Sequence, residues 1–128
     1  QLENSDHLNG KVRIITNAGD ADLIHLYRGA SFTLFPSLYE GWGLPVSESL
    51  ALGIPCIASS STSIPEAGGP LARYFDPENT AEAHAIIRAT IEDPDGLTAW
   101  RAEIARSFTP VPWTASADAV IAALDKHG

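Results

Sequence analysis

"SFTLFPSLYEGWGLPVSESLALGIPCIAS", residues 31–59, decides the fold. Its opening "SFTLFPS" (31–37) is a nearly continuous apolar run, the pattern of a strand buried on both faces. A polar, glycine-bearing loop follows. "LPVSESLAL" (44–52) then puts Pro45 where prolines begin helices and Gly53 just past the end, where glycines stop them. "IPCIAS" (54–59) is a second buried strand. Strand, helix and strand with short joints make a parallel crossover, which is right-handed almost without exception.

The same alternation extends outward. "KVRIIT" (11–16) has the β-branched, apolar character of a strand and follows the turn-like Asn9-Gly10. "NAGDAD" is a loop, and Asp20 is placed to cap a helix through "ADLIHLYRGA" (21–30). Leu23, Leu26, Tyr27 and Ala30 fall at the i, i+3, i+4, i+7 spacing of a buried helical face. Downstream, "LARYF" (71–75) is a last short strand, and helices are expected over 80–92, 95–106 and 114–126, punctuated by Pro77, Pro94, Pro110 and Pro112. This order predicts the α/β class: a Rossmann-like parallel sheet with helices on both faces.

Composition removes several function classes. The 128 residues are one domain or part of one, and 45% hydrophobic content allows a real core. Sixteen acidic residues against eight basic ones give a net charge of −8, which excludes nonspecific nucleic-acid binding. No apolar run reaches the roughly 20 residues of a membrane span, and no signal peptide opens the chain. The lone Cys56 rules out an internal disulfide and suits a reducing compartment. Methionine is absent even from position 1, so the chain is expected to begin inside a longer gene product.

In doubly wound sheets ligands bind outside the carboxyl ends of the strands. "YEGWGLPVSES" (39–49) lies there, with Glu40 and Glu48 separated by seven residues. Gly41 and Gly43 let a ligand approach the main chain closely. The helix beginning near Pro45 carries unpaired amides and a partial positive charge, a phosphate site built without lysine or arginine. Pro45 has no amide to give, so Leu44, Val46 and Ser47 are the expected donors. Glu48, about one turn inside, is a bidentate acceptor suited to the 2′ and 3′ hydroxyls of a ribose. Glu40, before the helix, is placed to accept hydrogen bonds from a second polyol. The interval suits a ligand with hydroxyls at both ends and a pyrophosphate between them. A nucleotide-sugar has that shape.

Each residue also has a plainer reading. Both glutamates would serve as solvated surface carboxylates, the usual fate of glutamate. Gly53 reads as a cap glycine only, Trp42 as a core or interdomain residue, and Glu66 equally as a helix-start residue or a pocket wall. His25 belongs to a polar helix face. His7, His84 and His127 have no carboxylate or cysteine partner at ligand spacing, so no metal site is expected. Cys56 reads as a small buried side chain, and the hydroxyl-rich 59–63 as the exit of a strand near the site.

The stretch resembles the E-x7-E signature of retaining glycosyltransferases of the GT-B fold, of the glycosyltransferase family 4 type. The similarity covers nearly the whole chain: a helix ending in Tyr-x-x-Ala, a Pro-Ser strand end, Glu-Gly-x-Gly-Leu-Pro, a later Pro-Glu-x-x-Gly, and the Asp-Pro of "FDPEN". The resemblance implies that Glu40 lies by the donor sugar and acts in catalysis, and that Glu48 binds the nucleotide ribose. It places the donor base against the loop Thr16-Asn17-Ala18, so Asn17 and Ala18 join the donor-binding set. The family usually has Gly-x-Val there, and the base stays unassigned.

By the same resemblance, residues 1–128 are a partial C-terminal nucleotide-sugar-binding domain ending in a helix over about 112–128. A complete member adds an N-terminal acceptor domain and two further strands with an Arg and a Lys that neutralise the pyrophosphate. The implied reaction is transfer of a hexosyl group from a nucleotide-diphosphate sugar to an acceptor hydroxyl. No cofactor or divalent metal is implied, and this piece alone is expected to be inactive. A nucleotide-sugar epimerase of the same fold and a non-catalytic nucleotide-sugar-binding module are the alternatives. The expected partners are the donor, the missing N-terminal domain and a second copy paired through an uncapped sheet edge. The implied location is cytoplasmic, with peripheral docking at the inner membrane face left open.

Overall fold

A computed structural model describes residues 9–110, so the helix expected over 114–126 lies outside the described residues. Three parallel strands form one sheet in the order β1 (Thr33–Phe35), β2 (Cys56–Ser59), β3 (Arg73–Phe75). Leu34 pairs with Ile57, and Ala58 with Tyr74. Helix α1 (Asp20–Gly29) precedes β1, and α2 (Leu44–Ala51) joins β1 to β2. Helix α3 (Ile64–Gly68) and a 3-10 turn at Gly69–Leu71 join β2 to β3, and α4 (Thr80–Glu92) and α5 (Pro94–Ser107) follow. This is the parallel α/β architecture that the sequence predicts. None of the described helices is long and apolar enough to cross a membrane.

The core centres on β2, whose Cys56, Ile57, Ala58 and Ser59 are all fully buried. Successive residues of a strand point to opposite faces, so both faces of the sheet are covered. Right-handed crossovers advancing in one direction put α2 and α3 on the same face. The core that they form with Val46, Leu50 and Ile64 also takes in Trp100 and Ile104 of α5. Polar groups that enter it are satisfied. Trp100 Nε1 donates to the Leu71 carbonyl at 2.7 Å, and the Thr33 and Ser49 hydroxyls meet at 2.7 Å between β1 and α2. Helix starts follow local chemistry: Asn79 and Asp93 accept from the amides of Glu82 and Gly96 at 3.0 and 2.9 Å. Gly53, at φ +74°, ends α2.

Four expectations need correction. Residues 11–16 are not a strand: Val12, Ile14 and Ile15 are exposed, and among the described residues nothing pairs with the segment. Propensity proposes a strand, but only a ladder makes one. Among the described residues the sheet consists of β1, β2 and β3 alone, so the segment has no ladder there to join.

The strand expected over 31–37 is confined to Thr33–Phe35, and Leu34 is 47% exposed. Among the described residues β1 is an edge strand, which explains the exposure. The α1 face is also not buried, with Leu23 and Leu26 at 42% and 47% exposure. The helical spacing is right, but among the described residues the face looks onto a cavity of about 430 Å³ rather than a filled core. Leu23, Leu26, Tyr27 and Ala30 line that cavity with Leu34 and Phe35 of β1. Asp20 is the first residue of α1 rather than its cap; Gly19 holds the cap position, and its amide donates to Asp22 Oδ2 at 3.1 Å.

Candidate functional site

The chain leaves β1 at Phe35, loops through residues 36–43 and enters α2 at Leu44. Gly43 forms the joint, with φ +72° in the left-handed region. A Cβ there would stand 3.2 Å from Ala67 Cβ and 3.4 Å from Ile64 Cα. The expectation that Gly43 leaves room for a ligand is therefore corrected: it is buried, and its missing side chain lets the turn pack on α3. Gly41 has open space where a side chain would project, which leaves its main chain approachable.

The expected trio of phosphate-binding amides is also reduced. The Val46 and Ser47 amides donate to the Gly43 carbonyl at 3.0 and 3.4 Å, because the first turn of α2 closes on its own cap. The Leu44 amide makes no such bond. Val46 turns its side chain into the core, and Ser47 Oγ donates to the Ala67 carbonyl at 3.2 Å. These two residues act in helix packing.

Glu48 is exposed on α2, and Tyr27 of α1 donates its hydroxyl to Glu48 Oε2 at 3.4 Å. Burial, then the adjacent Glu48 charge, raises the Tyr27 pKa and keeps the phenol a donor. Glu40 is half-buried on the β1–α2 loop, where Ser37 Oγ donates to its Oε1 at 3.2 Å.

A second loop, after β2, holds the first. Thr62 Oγ1 donates to the Glu40 carbonyl at 3.0 Å, and Ser63 Oγ donates to the Gly41 carbonyl at 2.6 Å. Ser59 Oγ donates to the Ser37 carbonyl. The sequence assigns no individual role to Thr62 or Ser63, although five consecutive hydroxyl residues at 59–63 mark the loop.

Other residues sit apart. Asn17 is exposed and Ala18 half-buried on the loop before α1, with no hydrogen bond to residues 40–48 among those described. Trp42 is 51% exposed, which corrects the core half of its core-or-interdomain reading. Glu66 is exposed in the first turn of α3. Cys56 is buried as expected, and burial pushes its thiol up. The cavity beside α1 has an apolar lining and includes neither glutamate, although Tyr27 and Pro45 border it.

Two carboxylates thus bracket a glycine turn and a helix start at the carboxyl end of a parallel strand. The sequence profile described as "Glycosyl transferases group 1" matches residues 2–107. The chain belongs to that family. Among relatives of this group 1 chain, an O-antigen chain mannosyltransferase B of Escherichia coli is 35% identical over 93 residues, covering 73% of this chain and 24% of the relative. An MMP alpha-(1->4)-mannosyltransferase of Mycolicibacterium hassiacum is 34% identical over 89 residues, 67% of this chain and 22% of the relative. A D-inositol 3-phosphate glycosyltransferase 1 of Catenulispora acidiphila is 32% identical over 117 residues, 88% of this chain and 27% of the relative. The group 1 chain thus spans roughly a quarter of the length of these relatives.

Proposed function

We propose that the chain is the donor-binding part of a retaining glycosyltransferase of the family 4 type. It transfers a hexosyl group from a nucleotide-diphosphate sugar to an acceptor hydroxyl. The observation that carries this reading is the pair Glu40 and Glu48, set on either side of the Gly43 turn at the carboxyl end of β1 in a group 1 chain. Glu48, exposed and touched by Tyr27, accepts the ribose hydroxyls. Glu40, anchored by Ser37 and the 62–63 loop, lies by the donor sugar. The Gly41 main chain, which has open space beside it, and the Leu44 amide are assigned to the pyrophosphate between them.

In this reading the protein stabilises the departing diphosphate with preorganised donors. The α2 amide supplies only part of that stabilisation. A basic pair and the acceptor domain are assigned to the remainder of the protein, and no divalent metal takes part. The location is proposed as cytoplasmic. Mannose is the first sugar to test, because two of the relatives above are mannosyltransferases by name.

The test is turnover by the full-length protein with a panel of nucleoside diphosphate hexoses, with the anomeric configuration of the product read by NMR. Transfer with retention supports the reading. Inversion, epimerised donor, or binding without turnover would replace it with another mechanism, the epimerase or the binding module. The described chain alone should show no acceptor-dependent transfer.

A further inference from the structure

We propose that Thr62 and Ser63 are positioning residues: a hydroxyl clamp, held under backbone strain, that fixes Glu40 at the donor sugar. The proposal rests on the reading of Glu40 given above.

Thr62 has φ +49°, in the left-handed region. For a β-branched residue this is a genuine outlier. Such strain persists only where the surroundings hold it, and it clusters at functional sites. Glycine would take this backbone without steric penalty. Burial does not account for the threonine, because the residue is exposed. What its side chain does is grip one residue at both ends. Oγ1 donates to the Glu40 carbonyl at 3.0 Å and lies 3.4 Å from the Glu40 amide.

Ser63 continues the grip, with Oγ 2.6 Å from the Gly41 carbonyl and 3.3 Å from the Glu40 carbonyl. Ser37 then directs the Glu40 carboxylate at 3.2 Å, and Ser37 is itself tied through its carbonyl to Ser59. Hydroxyls from the end of β2 and the loop after it thus set the backbone from which Glu40 projects. Clamping both its amide and its carbonyl fixes the direction of the Cα–Cβ bond, which a single contact would not do. A carboxylate that interacts with a reacting sugar has to be held in this way, because a displacement of about 1 Å can cost on the order of 100-fold in rate.

The test uses the full-length protein with Thr62→Gly, Thr62→Ser, Ser63→Ala and Glu40→Gln, reading kcat, nucleoside diphosphate affinity and melting temperature. Thr62→Gly should lower kcat by about tenfold or more. Diphosphate affinity should fall by less than kcat does, because Glu48 and the Leu44 amide are untouched and only the Gly41 main chain adjoins the clamp. Its melting temperature should change little, since relief of the strain offsets the lost hydrogen bonds and the added freedom of the unfolded chain. Thr62→Ser, which keeps the hydroxyl, should restore kcat, and Ser63→Ala should lower kcat in the same direction as Thr62→Gly. A purely structural threonine would instead make activity and melting temperature fall together, with both lost to the same extent. That result, or an unchanged kcat in Thr62→Gly, overturns the clamp. If Glu40→Gln is slow while Thr62→Gly turns over like wild type, only the clamp falls. If Glu40→Gln itself keeps the wild-type kcat, the reading of Glu40 falls and the clamp falls with it.

Discussion

The Tyr27 hydroxyl stands 3.4 Å from Glu48 Oε2, joining α1 to the carboxylate assigned to the donor ribose. The contact is long and exposed, so it contributes little to folding. Under the proposed reading its consequence is for binding. A donor on one side of Glu48 fixes which carboxylate lone pairs remain for the diol.

Tyr27→Phe should therefore weaken nucleoside diphosphate binding in the full-length protein by about 0.5–1 kcal/mol, below the range for a short bond to a charged group. Melting should hardly change. In a double-mutant cycle with Glu48→Gln the two losses should not add. Full additivity would mean that the contact has no part in binding.

Gly43 should tolerate nothing larger. Its φ of +72° and the 3.2 Å approach of Ala67 to any added Cβ act together. Gly43→Ala should cost about 1–3 kcal/mol of stability, and Gly43→Val more. Denaturant titration reads the loss. A wild-type midpoint for Gly43→Val would show that α3 does not pack on the turn.

Stability should fall at alkaline pH. Burial raises the Cys56 thiol above its ordinary 9.0, raises Tyr27, and pushes Tyr74 up to about 12 from 10.0. In each case the folded state keeps a proton that the unfolded state has released. The stabilisation is complete below the unfolded pKa and is lost as pH rises through the folded one. Thermal melting should thus be level between pH 7 and 8 and decline from about pH 9 upward. Tyr74→Phe should flatten the steepest part, between about 10 and 12. An alkaline profile unchanged by that substitution would contradict the assignment.

Much of this architecture is legible in residues 31–59, because there the local signals and the tertiary context agree. Pro45 and Gly53 bound α2, and "IPCIAS" is buried at the sheet centre. Agreement fails where context decides. "KVRIIT" has the composition of a strand but no neighbour to pair with among the described residues. The α1 stripe has helical spacing, yet among the described residues it borders a cavity. At the candidate site, the sequence picks out Glu40 and Glu48 by their spacing about the glycine turn, and the roles proposed for them rest on the family resemblance. The commitment of the Val46 and Ser47 amides to the Gly43 carbonyl is not legible there, because it depends on how tightly the first turn winds. Nor is the grip of Thr62 on Glu40, a contact between residues 22 apart in sequence.

The central claim is that Glu48 holds the donor ribose. Calorimetry of uridine, guanosine and adenosine diphosphates against the full-length protein and its Glu48→Ala variant tests it most directly. The account predicts that one diphosphate binds the wild type and loses about 1.5–3 kcal/mol with the variant, tenfold or more in affinity. The 2′-deoxy analogue of that diphosphate should bind the wild type less tightly and the variant no less tightly than the ribose form. An affinity that Glu48→Ala leaves unchanged would contradict the account.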